Sequence, residues 1–162
     1  MKHPDIGMMG YAGAGKDTAA DYFVQRLEYE RASFAAPLKE IAKQIGWNGI
    51  KDERGRGLLQ DLGMAGRQYD QDLWIKRAAD QAPAYLPIVW TDVRFRNEAD
   101  FVRSRGGIIV EIRRKDVTPQ AEVHVSESEH RRIRPDFIVD NEGTITELHA
   151  KLWLVASWII SK

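Results

Sequence analysis

One stretch of this chain has the residue types and spacing for phosphate chemistry, GYAGAGKDT at residues 10–18. Gly10, Gly15 and Lys16 satisfy a G-x-x-x-x-G-K pattern. Glycines at 10, 13 and 15 permit positive φ, so successive backbone N–H groups can turn inward onto phosphate oxygens. If a helix starts at Lys16, its N-terminal partial positive charge adds to the site. The lysine ammonium then reaches the β and γ phosphates and compensates charge that moves during transfer. Gly13, Ala14, Gly15, Lys16, Asp17 and Thr18 are the candidate nucleotide-binding residues. Asp17 departs from the pattern, because a Ser or Thr hydroxyl ordinarily follows the lysine as a Mg²⁺ ligand. A carboxylate can hold Mg²⁺ through a water, since this ion keeps much of its hydration shell. It also suits the positive start of a helix, at the cost of repelling a triphosphate. Both readings of Asp17 stand.

A second candidate group lies in IVWTDVRF at residues 88–95. An apolar strand ending in an acid puts Asp92 at the carboxyl edge of a sheet, where it could orient Mg²⁺ or its waters, or simply cap a turn. Arg94 is read two ways, as a ligand of a substrate phosphate or as the partner of Asp92. HVSE brings His124, Ser126 and Glu127 together, but no nucleophile-elbow pattern accompanies them, so a hydrolase triad is rejected. His3, His130 and His149 have no metal-ligand spacing with acids.

These residues need elements to hold them. Residues 6–9 form a short apolar run that ends in glycine, and Ala20, Phe23, Val24 and Leu27 then recur at helical spacing within 16–30. This predicts strand, glycine loop, helix. A short strand is expected at 31–34, followed by a helix with Pro37 in its first turn and Leu38, Ile41, Ala42 and Ile45 as its stripe. The polar, glycine-containing stretch 48–56 is expected to be a mobile connector, with helices from Leu58 and over 70–81. Residues 88–90 are continuously apolar, as a strand buried on both faces should be. A helix over 97–105 ending at Gly106-Gly107, a strand at IIVEI, a polar segment over 114–135, a strand at DFIVDN and a closing helix over 145–160 complete the order. In that last helix Leu148, Leu152, Val155 and Ile159 share one side, and Trp153 and Trp158 are expected to pack. Trp47 is read as either a core residue or a cleft wall. Strands alternating with helices imply an α/β fold with a parallel sheet of about five strands wrapped on both faces.

The 162 residues fit one domain that can bury roughly 70% of its unfolded surface, and 24 basic against 24 acidic residues give no global field for a polyanion. No nucleic acid is therefore expected. There is no cysteine, which removes disulfides and thiolate sites. Asp5 interrupts any signal-peptide core, and LWLVASWII is too short to cross a bilayer, so a soluble, cytoplasmic protein without a membrane partner is expected.

The motifs GYAGAGKDTAADYF, FAAPLKEIA, GLLQDLG with Arg67 and Trp74 after it, TDVRFRNEADFVRSRGG, HVSE and DFIVDNEGTITEL occur in the order of bacteriophage deoxynucleoside monophosphate kinases. The chain resembles that family over nearly its whole length. The resemblance implies a three-layer P-loop NTPase fold in a single domain, with a monophosphate-binding region at about 37–80 and a lid at about 114–135. It implies transfer of the γ-phosphate of ATP, with Mg²⁺, to a deoxynucleoside monophosphate (dNMP); Asp17 and Asp92, from the reading of the residues above, are the candidate metal residues, through water. The Asp-Thr pair after the lysine also belongs to the family pattern. Lys39, Arg67 and Trp74 then match the region that holds the monophosphate, its phosphate and its base, and Arg56 is a further candidate, ahead of Arg54. Arg113, Arg114, Arg131 and Arg132 match the lid. Lys16, Arg94, Arg131 and Arg132 become the candidate catalytic charges, with Asp92 and Arg94 also facing substrate. Glu127 is expected to order the lid. The partners implied are the dNMP and, as a further candidate, a second copy in a homodimer. A small-molecule kinase acting on dephospho-coenzyme A or phosphomevalonate, and a non-catalytic ATP-dependent binding module, are the alternatives.

Overall fold

The computed structural model describes residues 3–117, 129 and 132–162. His124, Ser126, Glu127, His130 and Arg131 lie outside the described residues. The chain divides into two compact units, Met1–Arg31 with Pro83–Lys162, and Ala32–Ala82.

The first unit is built on a five-stranded sheet. Its strands are β1 (Ile6–Met9), β2 (Glu30–Ala32), β3 (Ile88–Trp90), β4 (Ile108–Arg113) and β5 (Phe137–Asp140), in the order β2-β3-β1-β4-β5. β1 runs parallel to β3 and β4, and β4 parallel to β5, with Ile6 opposite both Val89 and Ile108. Every residue of β1 and β3 is buried, as continuously apolar runs in a covered parallel sheet require. Alternation sends Ile6, Met8, Val110 and Val139 into a core shared with Phe23 of α1 (Lys16–Leu27) and with Leu148, Leu152, Val155 and Ile159 of the closing helix (Ile145–Ile160). That helix starts with a reciprocal cap: Thr144 Oγ1 accepts from Glu147 N, and Glu147 Oε2 accepts from Thr144 N. A further helix between β3 and β4 (Arg96–Ser104) packs on β1 and β4 and buries Ala99 and Val102.

Two expectations shift here. α1 stops at Leu27, because Glu28 adopts a left-handed conformation (φ 57°) and donates its N–H to Phe23 O, so β2 begins at Glu30. Trp153 is 56% exposed, whereas Trp158 packs edge-on against Phe137 at 5.3 Å between ring centroids. Only the second tryptophan is a packing residue.

Asp5 is the buried carboxylate that ties the lower edge of this sheet. It accepts from Ile88 N (3.1 Å), Trp90 Nε1 (3.3 Å) and Arg105 Nε (2.6 Å), and its backbone oxygen accepts from Ile108 N (2.9 Å). The three strands β3, β1 and β4 thus share one anchor.

The second unit contains α2 (Ala36–Gln44), α3 (Glu53–Tyr69) and α4 (Leu73–Gln81); in chain order the helix after β3 is α5 and the closing helix α6. Pro37 stands in the first turn of α2, and Leu38 and Ala42 are buried. The expected connector over 48–56 is shorter than its composition suggests. Asp52 caps α3 by accepting from Gly55 N at 2.7 Å, and the helix then runs from Glu53. Gly55 serves close approach: a Cβ there would lie 2.0 Å from Ile50 O and 2.8 Å from Trp47 Nε1. Trp47 is half-buried and donates to Ile50 O at 2.9 Å, which makes it a wall of this turn.

Candidate active site

The phosphate loop begins where β1 ends. Gly10 (φ 140°), Gly13 (φ 84°) and Gly15 (φ 98°) all take positive φ, as the glycine spacing predicts. At Gly10 the reason is also steric, since a Cβ would sit 2.3 Å from the carbonyl oxygen of Ile112 in β4. Gly15 is the N-cap of α1, with no side-chain cap, and Lys16 is its first helical residue.

Lys16 folds back over the loop and donates from Nζ to Gly10 O (2.8 Å) and Tyr11 O (2.9 Å). Its pKa is lowered from 10.5, first by burial and then by the Arg94 guanidinium, with the carboxylates of Asp17 and Asp92 opposing. One arginine and two acids, from the start of α1 and the turn after β3, therefore act on Lys16 at the carboxyl edge of the sheet. β1 lies between β3 and β4 here, so loops diverge on either side of it, which is where open α/β sheets bind ligands.

Asp92 is half-buried in the turn after β3, and Arg94, two residues on, is exposed. A residue that sequence reasoning missed shapes this turn. Glu98, 2% exposed, accepts from Arg94 N (2.8 Å) and Phe95 N (3.0 Å) and so fixes the backbone that carries both candidates. An acid three residues past the helix-start position was the available signal.

Asp17 is not the helix cap. It stands in the first turn of α1, its side chain 86% exposed, and its carboxylate pairs with Arg31, which also bonds Asp21 Oδ1 at 2.9 Å. Its electrostatic benefit to the helix start is retained. Thr18 is half-buried one residue further along.

Beside the loop, the ends of β4 and β5 line an open pocket of about 640 Å³ whose lining includes Tyr11, Arg113, Lys115, Val117, Asp140 and Glu142. Lys115 N donates to Glu142 Oε1 at 2.9 Å, closing one wall, and Arg113 pairs with Glu111 at 2.8 Å. Arg114 is exposed at the start of the polar segment. Arg132 bonds Glu129 at 2.8 Å and lines a separate cavity of about 290 Å³ with Arg96, Arg103 and Arg134. Among the described residues it is not one of the charges that act on Lys16.

The other candidates belong to the second unit. Arg67 Nη1 (3.3 Å) and Trp74 Nε1 (3.0 Å) both donate to Gly63 O, which joins α4 to the middle of α3. Trp74 is 3% exposed, so its indole is a packing element of this unit, with no open ring face for a base. Arg67 and Lys39 are half-buried, and Arg56 is exposed on the first turns of α3 instead of on a loop. Among the described residues no group of three or more His, Asp or Glu could hold a metal ion by itself, and no helix is long and apolar enough to cross a membrane.

A glycine loop that closes on a lysine at the central strand of a parallel sheet defines the class of P-loop nucleotide-binding folds. Solved structures agree on the fold. Shikimate kinase from Aquifex aeolicus vf5 superposes with a TM-score of 0.58 at 18% identity, covering 95% of this chain and 96% of that one. Shikimate kinase from Acinetobacter baumannii gives 0.55 at 16% identity, covering 98% and 94%. The family model of deoxynucleotide monophosphate kinases matches residues 56–152. A protein of Acanthamoeba polyphaga mimivirus, described as a candidate deoxynucleotide monophosphate kinase, is 30% identical over 91% of this chain and 93% of its own length. An uncharacterised protein of Ictalurid herpesvirus 1 is 30% identical over 89% of this chain and 66% of its own. The chain belongs to the deoxynucleotide monophosphate kinase family. It is a phosphotransferase of that family, and its P-loop kinase class implies ATP as the nucleotide used.

Proposed function

We propose that the chain transfers the γ-phosphoryl group of ATP to the 5′-phosphate of a deoxynucleoside monophosphate through the residues around Lys16. One observation carries the assignment: Lys16 lies on its own glycine loop within electrostatic reach of Arg94, Asp92 and Asp17. An ammonium held, among the described residues, by two loop carbonyls can exchange them for the β and γ oxygens of a nucleotide without leaving the loop. The acceptor phosphate oxygen is already a nucleophile, so no general base is required. As its bond to the γ phosphorus forms, the bond to the bridging oxygen breaks, and ADP leaves with that electron pair. Lys16 and Arg94 would hold the charge on the transferring group, and alignment of donor and acceptor does the rest.

The open pocket of about 640 Å³ beside Tyr11 and Glu142 is large enough for the donor nucleoside. Arg67 and Lys39 are the candidates for the acceptor phosphate, with Arg56 further along α3. Trp74 supports Arg67 from behind, since both bond the same carbonyl. Arg131 and Arg132 remain the lid charges of this proposal, closing to exclude water that would otherwise be phosphorylated in place of the acceptor.

Mg²⁺ would neutralise the triphosphate as it binds. Oxygen donors suit that ion, and a site with few protein ligands suits one that keeps its waters. Asp92 fits as the residue that orients such waters, being half-buried and close enough to act on Lys16. Asp17 fits less well, because Arg31 already holds its carboxylate. Activity in the cytoplasm, where ATP and dNMPs are available, completes the proposal.

The test is a coupled assay of ADP release with the four common dNMPs, the ribonucleoside monophosphates, dephospho-coenzyme A and phosphomevalonate. Turnover with one or more dNMPs is expected. Turnover confined to another acceptor would move the chain to a different substrate class. ATP binding with no acceptor-dependent ADP release would make it a binding module.

A further inference from the structure

We propose that Asn141 is a positioning residue that sets the orientation of the phosphate loop from the far end of the chain; the inference rests on the nucleotide-binding reading given above. Asn141 follows the last residue of β5. Its backbone N–H donates to Arg113 O at 2.7 Å, which extends the β4–β5 ladder by one rung. Its side-chain Nδ2 donates to Ala14 O at 2.9 Å, across 127 residues of sequence. The approach is close: a Cβ on Gly15 would lie 2.4 Å from that nitrogen.

A trans peptide is planar, and its C=O and N–H point in opposite directions. Holding the Ala14 carbonyl against Asn141 therefore turns the Gly15 N–H the other way, to the side open to a phosphate. No described residue accepts from the Gly15 N–H, whereas Ala14 N is bonded to Tyr11 O at 3.2 Å and Gly15 O accepts from Ala19 N at 3.0 Å. One donor of the loop is thus left for a ligand, and its aim depends on a single side chain. Flanking glycine makes rotation of this peptide cheap. Without the Asn141 amide, conformers that present the Ala14 carbonyl to the phosphates become populated, and an acceptor facing an anion repels it.

Asn141→Ala and Asn141→Asp test the idea. Loss of one neutral hydrogen bond predicts about a 3–10-fold weaker affinity for ADP in Asn141→Ala. Asn141→Asp keeps the shape, removes the donor and adds a negative charge beside the loop, so the loss should exceed tenfold. Calorimetric titration with ADP, and separately with the best dNMP acceptor, reads the effect against unfolding of the unliganded protein. The expected pattern is a loss confined to ADP and to KM for ATP, with dNMP affinity unchanged and Asn141→Asp folded. Unchanged ADP affinity in both variants would overturn the proposal, as would an equal loss for the dNMP, which marks general disordering. A wild-type chain that does not bind ADP would overturn the nucleotide reading and this proposal with it.

Discussion

Asp5→Ala should separate the sheet's anchor from its catalytic edge. The substitution removes the acceptor used by Ile88 N, Trp90 Nε1 and Arg105 Nε. Ile88 and Trp90 are fully buried, so their donors cannot turn to water. A buried donor left without its acceptor costs about 1–3 kcal/mol. Arg105 has a side chain 33% exposed and can rehydrate, so its pair is discounted to about 1 kcal/mol or less. The combined loss is about 2–7 kcal/mol, a large part of the roughly 5–15 kcal/mol that holds a typical domain. Asp5→Asn retains one acceptor oxygen and should lose about 1–2 kcal/mol. Denaturant unfolding followed by far-UV circular dichroism measures both, with tryptophan fluorescence as a second probe because Trp90 touches the site. An unchanged slope with a shifted midpoint would assign the change to stability. Asp5→Ala within about 1 kcal/mol of the wild type, or Asn as damaging as Ala, would refute the reasoning.

Three further outcomes are expected. Lys16→Ala should lower turnover by about 10²–10³, the scale for removing one preorganised charge stabiliser, without lowering unfolding temperature; unchanged turnover would exclude the loop from catalysis. Burial and Arg94 hold Lys16 below its ordinary pKa of 10.5, so ADP affinity should be full below the lowered value and fall as pH rises through it. The sign for folding is the reverse, because the unfolded chain binds the proton more tightly, so this lysine's contribution to stability rises across the same window. ADP affinity that stays flat well into the alkaline range would refute that account. Asp92→Asn should raise the Mg²⁺ needed for half-maximal turnover by about tenfold. Asp17→Asn should change it far less, with stability altered by under about 0.5 kcal/mol, because the Arg31 pair is exposed. The opposite order would return the metal role to Asp17.

The first unit was legible in the sequence because each of its elements carries its own period and punctuation. Residues 6–9 and 88–90 are short apolar runs closed by glycine and by Thr-Asp, residues 108–113 are a mainly apolar run that starts after Gly-Gly, and the stripe Leu148, Leu152, Val155 and Ile159 is buried as its spacing predicts. The second unit was less legible. Gly55 looked like a loop residue, yet it sits inside a helix capped by Asp52, where Trp47 and Ile50 leave no space for a side chain. That crowding comes from the turn just before the helix, and composition alone does not show it. The site divides in the same way. Lys16 and the loop glycines follow from spacing, and the Glu98 brace left a local signal that was not used, but the Arg31 partner of Asp17 and the Asn141 tether join residues distant in sequence. Trp74 was assigned by resemblance to a base, and its burial against Gly63 was not readable from one aromatic in a helical stretch.

The strand order also dictates when this protein can exist as a nucleotide binder. β1 is made before β3 and β4, its neighbours in the sheet, and the loop that follows it is tied to Asn141. At about 5–20 residues per second, a ribosome needs roughly 6–25 s to travel the 127 residues from Ala14 to that tether. Throughout that interval the nascent chain has a glycine loop without its brace, and until β3 and β4 are made its apolar strand lacks both neighbours. Nucleotide therefore cannot template early folding, and prematurely ended chains that stop before β5 should lack the finished site. The fold works as a completion check, in which the last strand certifies the first loop.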